Sequence, residues 1–189
     1  VELVDSGAPN LAVRVEVPAG EVLNLGRLSA PGGRIDVHAA SVNQQGLVQA
    51  DSLGTDAQGR VVLQASQRLT LAADSVTAAA GGEIQLLGQE VALLDGSRVD
   101  ASAPTGGGRI WVGGGAGGRD AALPNARAVY MGPQAELRAD ATAQGDGGSI
   151  WLWSDAATRA YGRFSAQGGP AGGSGGFVET SGGWLDARP

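Results

Sequence analysis

Residues 81–101 read GGEIQLLGQEVALLDGSRVDA, and apolar side chains fall at alternate positions in three short stretches: Ile84 and Leu86, Val91 and Leu93, Val99 and Ala101. A period of two belongs to an extended strand, whose side chains alternate between faces, whereas a helix repeats at 3.6. Working outward from this stretch, its opening glycine with apolar or small residues two and four positions on recurs along the chain. The instances are Gly33-Arg-Ile-Asp-Val37, Gly59-Arg-Val-Val-Leu63, Gly82-Glu-Ile-Gln-Leu86, Gly108-Arg-Ile-Trp-Val112, Gly148-Ser-Ile-Trp-Leu152 and Gly176-Phe-Val-Glu-Thr180. Successive glycines are 26, 23, 26, 40 and 28 residues apart. The long step points to an insertion near 113–130, in GGGAGGRDAALPNARAVY.

Three short strands every 25 residues or so cannot bury an apolar face alone; stacked on their equivalents in the next repeat, they can. The expected fold is therefore all-β, a parallel β-helix (solenoid) of about six or seven coils. At roughly 4.8 Å per coil this is a rod of about 30 Å. One segment is expected, with an irregular first coil over 1–31, regular coils over 32–112, the insertion at 113–130 and further coils over 131–189. An antiparallel sandwich also has alternating strands and glycine-rich turns. It does not explain why the same three-strand grammar restarts at each glycine.

Stacking turns equivalent positions into columns. Ile35, Val61, Ile84, Ile110, Ile150 and Val178 form one inward line, and Val37, Leu63, Leu86, Val112 and Leu152 a second that ends at Thr180. Outward, the residue after each glycine runs Arg34, Arg60, Glu83, Arg109, Ser149, Phe177, so Glu83 sits between two arginines. Exposed pairs of this kind contribute only ~0 to 1 kcal/mol each. Two positions on, the outward line is Asp36, Val62, Gln85, Trp111, Trp151 and Glu179, with Trp153 beside it. Trp111, Trp151 and Trp153 thus converge on one face of a protein with 4% aromatics. They are the candidate binding residues, as a stacking platform for a sugar or partner. The alternative is that the insertion, with Leu123, Val129 and Tyr130, folds over them.

Composition excludes other classes. Glycine is 33 of 189 residues, all 13 basic residues are arginine, and cysteine is absent, which removes disulfides, thiolate metal sites and cysteine nucleophiles. A net charge of −6 without a basic cluster argues against nucleic acid or an anionic membrane as partner. No apolar run approaches a membrane span, so no membrane insertion is expected. The chain opens on Val rather than Met, which suggests a processed or excised piece.

Catalytic chemistry is thinly represented. His38, the single histidine, is expected outward on a strand, with neither metal ligand nor triad partner. The glycine strings lack GKS or GKT, and Asp146 in Gly145-Asp-Gly-Gly148 does not recur at the nine-residue steps of calcium-binding repeats. Polysaccharide-cleaving β-helices converge two or three carboxylates on one face. Here the 12 Asp and seven Glu are scattered, and Asp100 and Asp140, which could share a face, carry no sign of a tuned pair. No enzyme, metal or cofactor is expected.

The last repeat, Gly175-Gly-Phe-Val-Glu-Thr-Ser-Gly182 followed by Trp184-Leu-Asp186, resembles an element of filamentous-haemagglutinin-like exoproteins of two-partner secretion systems. The preceding Phe164–Gly176 stretch, Val22-Leu-Asn-Leu-Gly26 and Gly32-Gly-Arg-Ile35 are similar to that family too, so the likeness runs from about Asn10 to Asp186. It implies a right-handed β-helix, secreted or held at the bacterial cell surface in association with the outer membrane, within a large adhesin or related toxin-delivery shaft. The family's NPNG-type and NxxGI-type asparagine motifs are not visible here, which implies a segment downstream of the secretion domain. The implied role is a non-catalytic structural and adhesive shaft that presents a surface to a host-cell or bacterial receptor or glycan. The implied partner of the full-length parent is an outer-membrane transporter. The alternatives are a glycan-binding module using the tryptophans and, further off, a polysaccharide-active enzyme. Bare ladders at both ends would favour end-to-end self-association unless Val1–Asn10 and Trp184–Pro189 cover them.

Overall fold

The computed structural model describes residues 2–4, 12–51 and 59–188. The strands in order are β1 (Glu2–Val4), β2 (Ala12–Asn24), β3 (Arg27–Ser29), β4 (Arg34–Gln44), β5 (Leu47–Gln49) and β6 (Arg60–Leu71). Then come β7 (Val76–Ala78), β8 (Glu83–Leu87), β9 (Glu90–Leu93), β10 (Arg98–Asp100), β11 (Arg109–Val112) and β12 (Ala128–Met131). The last are β13 (Glu136–Arg138), β14 (Ser149–Leu152), β15 (Ala157–Ala160), β16 (Arg163–Ser165), β17 (Phe177–Thr180) and β18 (Leu185–Asp186). Helix among the described residues is a single 3₁₀ turn, Ala116–Gly118.

These strands build a parallel β-helix of about six turns. One ladder runs β2, β4, β6, β8, β11, β14, β17, and a second shares β2, β4 and β6 before continuing through β9, β12, β15 and β18. The third is β3, β5, β7, β10, β13, β16. In the early turns the first two arms are one bent strand with a register slip, between Val17 and Glu21 in β2 and between Ala39 and Ser41 in β4. In later turns they separate, as β8 and β9 do. Every pairing is parallel except β1 on β2, which is antiparallel. That parallel register excludes the sandwich.

The inward columns are those expected from the repeat. Ile35 pairs in register with Val61, Val61 with Ile84, Ile84 with Ile110, Ile110 with Ile150, and Ile150 with Val178. The first five are fully buried, while Val178 in the last turn is 41% exposed. The second arm adds Val42, Leu69, Val91 and Val129, all buried, and ends at Leu185, which is 42% exposed. Ala30, Ala50, Ala79, Ala101 and Ala139 close the third arm with no exposed surface. Branched aliphatics fill the bore and alanines its narrow corner. Asp36, Val62 and Gln85, on the outward line, are buried as well.

The recurring glycines are required by close approach. A Cβ built on Gly82 would lie 2.0 Å from the Gly59 carbonyl oxygen, on Gly108 2.2 Å from that of Gly82, and on Gly148 2.0 Å from that of Gly108. Each of those carbonyls accepts a ladder hydrogen bond from the following coil: Glu83 N–H to Gly59, Arg109 N–H to Gly82, Ser149 N–H to Gly108. A side chain here would displace backbone from both coils.

The insertion leaves after β11. The Ala126 N–H donates to the Gly113 carbonyl at 2.6 Å, closing the neck of a loop that spans 113–127. Ala128–Met131 rejoins the ladder as β12, so Val129 points into the bore and Tyr130 outward, and neither belongs to the loop. The two ends of the rod differ. Glu2–Val4 lies along the edge of β2. Leu185–Asp186 is a regular strand of the last turn, paired only with β15, and so does not cap that end. Val1, residues 5–10 and Pro189 of the expected covers lie outside the described residues.

Candidate functional site

Consecutive rungs of a parallel ladder put like residues side by side, at a spacing close to that of stacked rings. Trp111 and Trp151 are in register on β11 and β14, with ring centroids 5.1 Å apart and planes 11° from parallel. Phe177, one rung on, lies 6.1 Å from Trp151 at 47°. The Arg109 guanidinium carbon stands 5.7 Å from the Trp111 centroid on the other flank. Within the row Arg109–Trp111–Trp151–Phe177, the Trp111 and Trp151 faces therefore cover one another.

Trp153 meets the insertion. A Cβ on Gly118 would fall 2.3 to 2.8 Å from its indole, so the loop backbone lies directly on that ring. The indole N–H donates to Asp155 Oδ1 at 2.9 Å, and Asn125 Nδ2 donates to the same oxygen at 2.9 Å and to the Gly118 carbonyl. At the loop tip, Gly117 N–H donates to Glu179 Oε1 at 2.8 Å, and Ser181 Oγ donates to the same atom at 2.6 Å. Glu179 is the rung after Trp151. The loop thus bridges from the β11 turn to the last turn, over Trp153 and onto Glu179. Leu123 is buried beneath it. The repeat puts Glu179 on the outward line after Trp151, but its docking role has no cue in sequence, because a loop tip that docks 62 residues further on leaves no local pattern.

Of the carboxylates weighed in sequence, Asp100 caps its own turn, accepting from Ser102 N–H at 2.9 Å. Asp140 is 5% exposed and accepts from Ser165 Oγ at 2.6 Å, Gln167 N–H at 2.8 Å and the Arg138 fork at 3.1 and 3.3 Å. Burial pushes its carboxyl up, but the Ser165, Gln167 and Arg138 contacts together hold it below the ordinary carboxylate value. With every donor contact structural, Asp140 is a bracket between turns and not an acid–base group. A depressed folded-state pKa stabilises the fold above the unfolded value, near 4, and that contribution is lost as pH falls through the folded value. Chemical denaturation of Asp140→Asn should show lower stability at neutral pH and a shallower loss below pH ~4 than the parent chain. An unchanged acid limb would refute the bracket.

Asp146 likewise serves a corner, accepting from Ser174 N–H at 2.7 Å. His38 is half-buried on the outer side of β4, with Glu16 and Gln64 as its register neighbours. Charged ladders continue this face and line the second arm. Glu83 contacts both Arg60, at 3.8 Å, and Arg109, as its place in the column required. Glu90 accepts from Arg68 at 2.6 Å and from Arg127, and these hydrogen bonds, Arg68 first, hold its carboxyl below the usual range. Among the described residues no group of three or more His, Asp or Glu is placed to hold a metal ion. Among the described residues no helix is long and apolar enough to cross a membrane.

No family model matches this sequence, and no curated protein matches it. Among solved structures, the crystal structure of the HMW1 secretion domain from Haemophilus influenzae superposes on it with a TM-score of 0.80 at 30% sequence identity. The alignment covers 89% of this chain and 46% of that one, so the chain spans about half the length of that domain. The neighbour is a secretion domain, and the likeness to it extends over most of this chain.

Proposed function

We propose that this chain is a structural, adhesive shaft segment of a large bacterial exoprotein exported by two-partner secretion, lying downstream of the secretion signal and displayed at the cell surface. The 30% identity to the HMW1 secretion domain over nearly nine-tenths of this chain supports the two-partner-secretion part of the reading, and the place downstream of the secretion signal rests on the resemblance of the last repeat. It supports a parent delivered through an outer-membrane transporter, with shaft and secretion domain built from the same kind of coil. Function on this reading is mechanical. Parallel backbone ladders through six turns resist shear along the rod, and loops such as 113–127 provide contact points for a receptor or glycan. Antibodies raised against the chain should label intact cells of the source organism, and the label should vanish when the transporter is deleted. Purified chain should block attachment of those cells to their target surface. Label confined to permeabilised cells would refute the reading.

Within it, Trp111, Trp151 and Trp153 act as a staple. The stacked pair adds about 0.5–1.5 kcal/mol beyond its area, and the loop over Trp153 ties distant turns together. Replacing Trp111 and Trp151 with Ala should lower the unfolding free energy by about 1–3 kcal/mol with no change on a glycan array. Loss of a glycan signal at unchanged stability would instead establish the glycan-binding module.

A further inference from the structure

A second aromatic cluster lies on the corner between the second and third arms, away from the tryptophan row. Tyr130 on β12 and Tyr161 after β15 meet edge to face, with centroids 6.1 Å apart and planes at 74°. Tyr161, Pro133, Asp186 and Arg188 line a cleft of about 740 Å³, within the size range of small-molecule sites. Nothing in the repeat singles out these residues; three successive turns bring them together.

The polar groups of the cleft are already arranged. Asp186 accepts from Tyr161 Oη at 3.1 Å, from Arg188 N–H at 3.3 Å, and from Arg188 Nε and Nη2 at 3.0 and 3.1 Å. A carboxylate has about four acceptor sites, so Asp186 is saturated and is not the ligand's partner. Its contacts, the Arg188 hydrogen bond foremost, hold its pKa down to about 2, and it stays ionised through the neutral range. What the arrangement leaves over is donors. Asp186 grips the Nε/Nη2 edge of the guanidinium and fixes its plane, while the Nη1/Nη2 end remains available on a side chain that is 84% exposed. That free end is a planar fork matched to a carboxylate. Arg159 stands 5.7 Å over Trp184 and does not line the cleft.

We propose that this cleft binds a small ring-bearing carboxylate, whose carboxylate is gripped by the free end of Arg188 and whose ring lies against Tyr161 and Pro133. One available fork suits a singly charged planar group better than phosphate. The aromatic wall requires a flat or ring-shaped body behind the charge. Tyr130 buttresses the Tyr161 ring, and Asp186 is a positioning residue that acts through Arg188. The proposal does not depend on the adhesive reading.

The test is calorimetric titration of the full chain with sodium benzoate and sodium glucuronate, set against benzamide and inorganic phosphate. At least one carboxylate should bind and benzamide should not. Benzoate alone marks an aryl acid as the natural class, and glucuronate alone a sugar acid. Arg188→Ala and Arg188→Lys should each weaken binding about tenfold or more, since lysine keeps the charge but not the fork. Tyr161→Phe keeps the ring and should retain binding, which covers the case in which Tyr161→Ala fails to fold. The proposal is overturned if neither carboxylate binds up to its solubility limit, if benzamide or phosphate binds as well, or if Arg188→Ala binds unchanged.

Discussion

Replacing Gly108 with Val should cost about 3 kcal/mol or more and leave much of the chain unfolded at ordinary temperature. Even the first added carbon falls 2.2 Å from the Gly82 carbonyl oxygen, which must also accept the Arg109 N–H at 2.9 Å. The two coils can yield only by parting. That breaks a ladder hydrogen bond worth ~1 kcal/mol and strains a packed core at a further 1–3 kcal/mol. The same change should be severe at Gly148, whose Cβ would meet the Gly108 carbonyl oxygen at 2.0 Å. Gly26 is the control, because no atom lies within 4 Å of a Cβ placed there, and Gly26→Ala should be neutral or slightly stabilising. Urea unfolding followed by circular dichroism separates them. Equal midpoints for Gly108→Val and Gly26→Ala would mean that the coils are not in contact along this line.

Truncating the same inward column should cost different amounts at its two ends. Ile110→Ala in the middle turns should lower the unfolding free energy by about 2–5 kcal/mol, since Ile84 and Ile150 lie directly on either side and cannot collapse into the space. Val178→Ala, on the outermost rung and 41% exposed, should cost under about 1 kcal/mol. Equal losses at the two sites in the same urea series would show that the last turn is buried in solution. Sedimentation would then distinguish end-to-end self-association from a monomer.

Much of this architecture was legible in the chain. The glycine-led phrase marks one rung, and the period of two marks which side of it faces in. Opposite charges at Arg60, Glu83 and Arg109 were readable as neighbours because every coil enters that arm in the same register. The limit of that legibility is where coils differ in length. The loop at 113–127 was visible as an interruption, but its end was placed a few residues late, since Ala128–Met131 carries an alternation too short to assign without its partners β9 and β15. Trp184–Pro189 is a candidate cover in sequence, yet its Leu185–Asp186 is a rung, because two strand residues are indistinguishable from a tail in sequence.

The candidate sites divide along the same line. Alternation in a one-dimensional repeat determines which residues share a column, so the chain alone specified the bore, the glycine line and the meeting of Trp111 with Trp151. Tertiary structure decided how those columns are used: that the indole faces are spent on each other, that Glu179 anchors a loop from an earlier turn, that Asp140 is enclosed by donors, and that Tyr161, Asp186 and Arg188 enclose a cleft. The reason is physical. Register along a ladder is repeated and therefore periodic in sequence, whereas ring orientation, loop docking and corner clefts depend on single contacts between turns, for which no period exists.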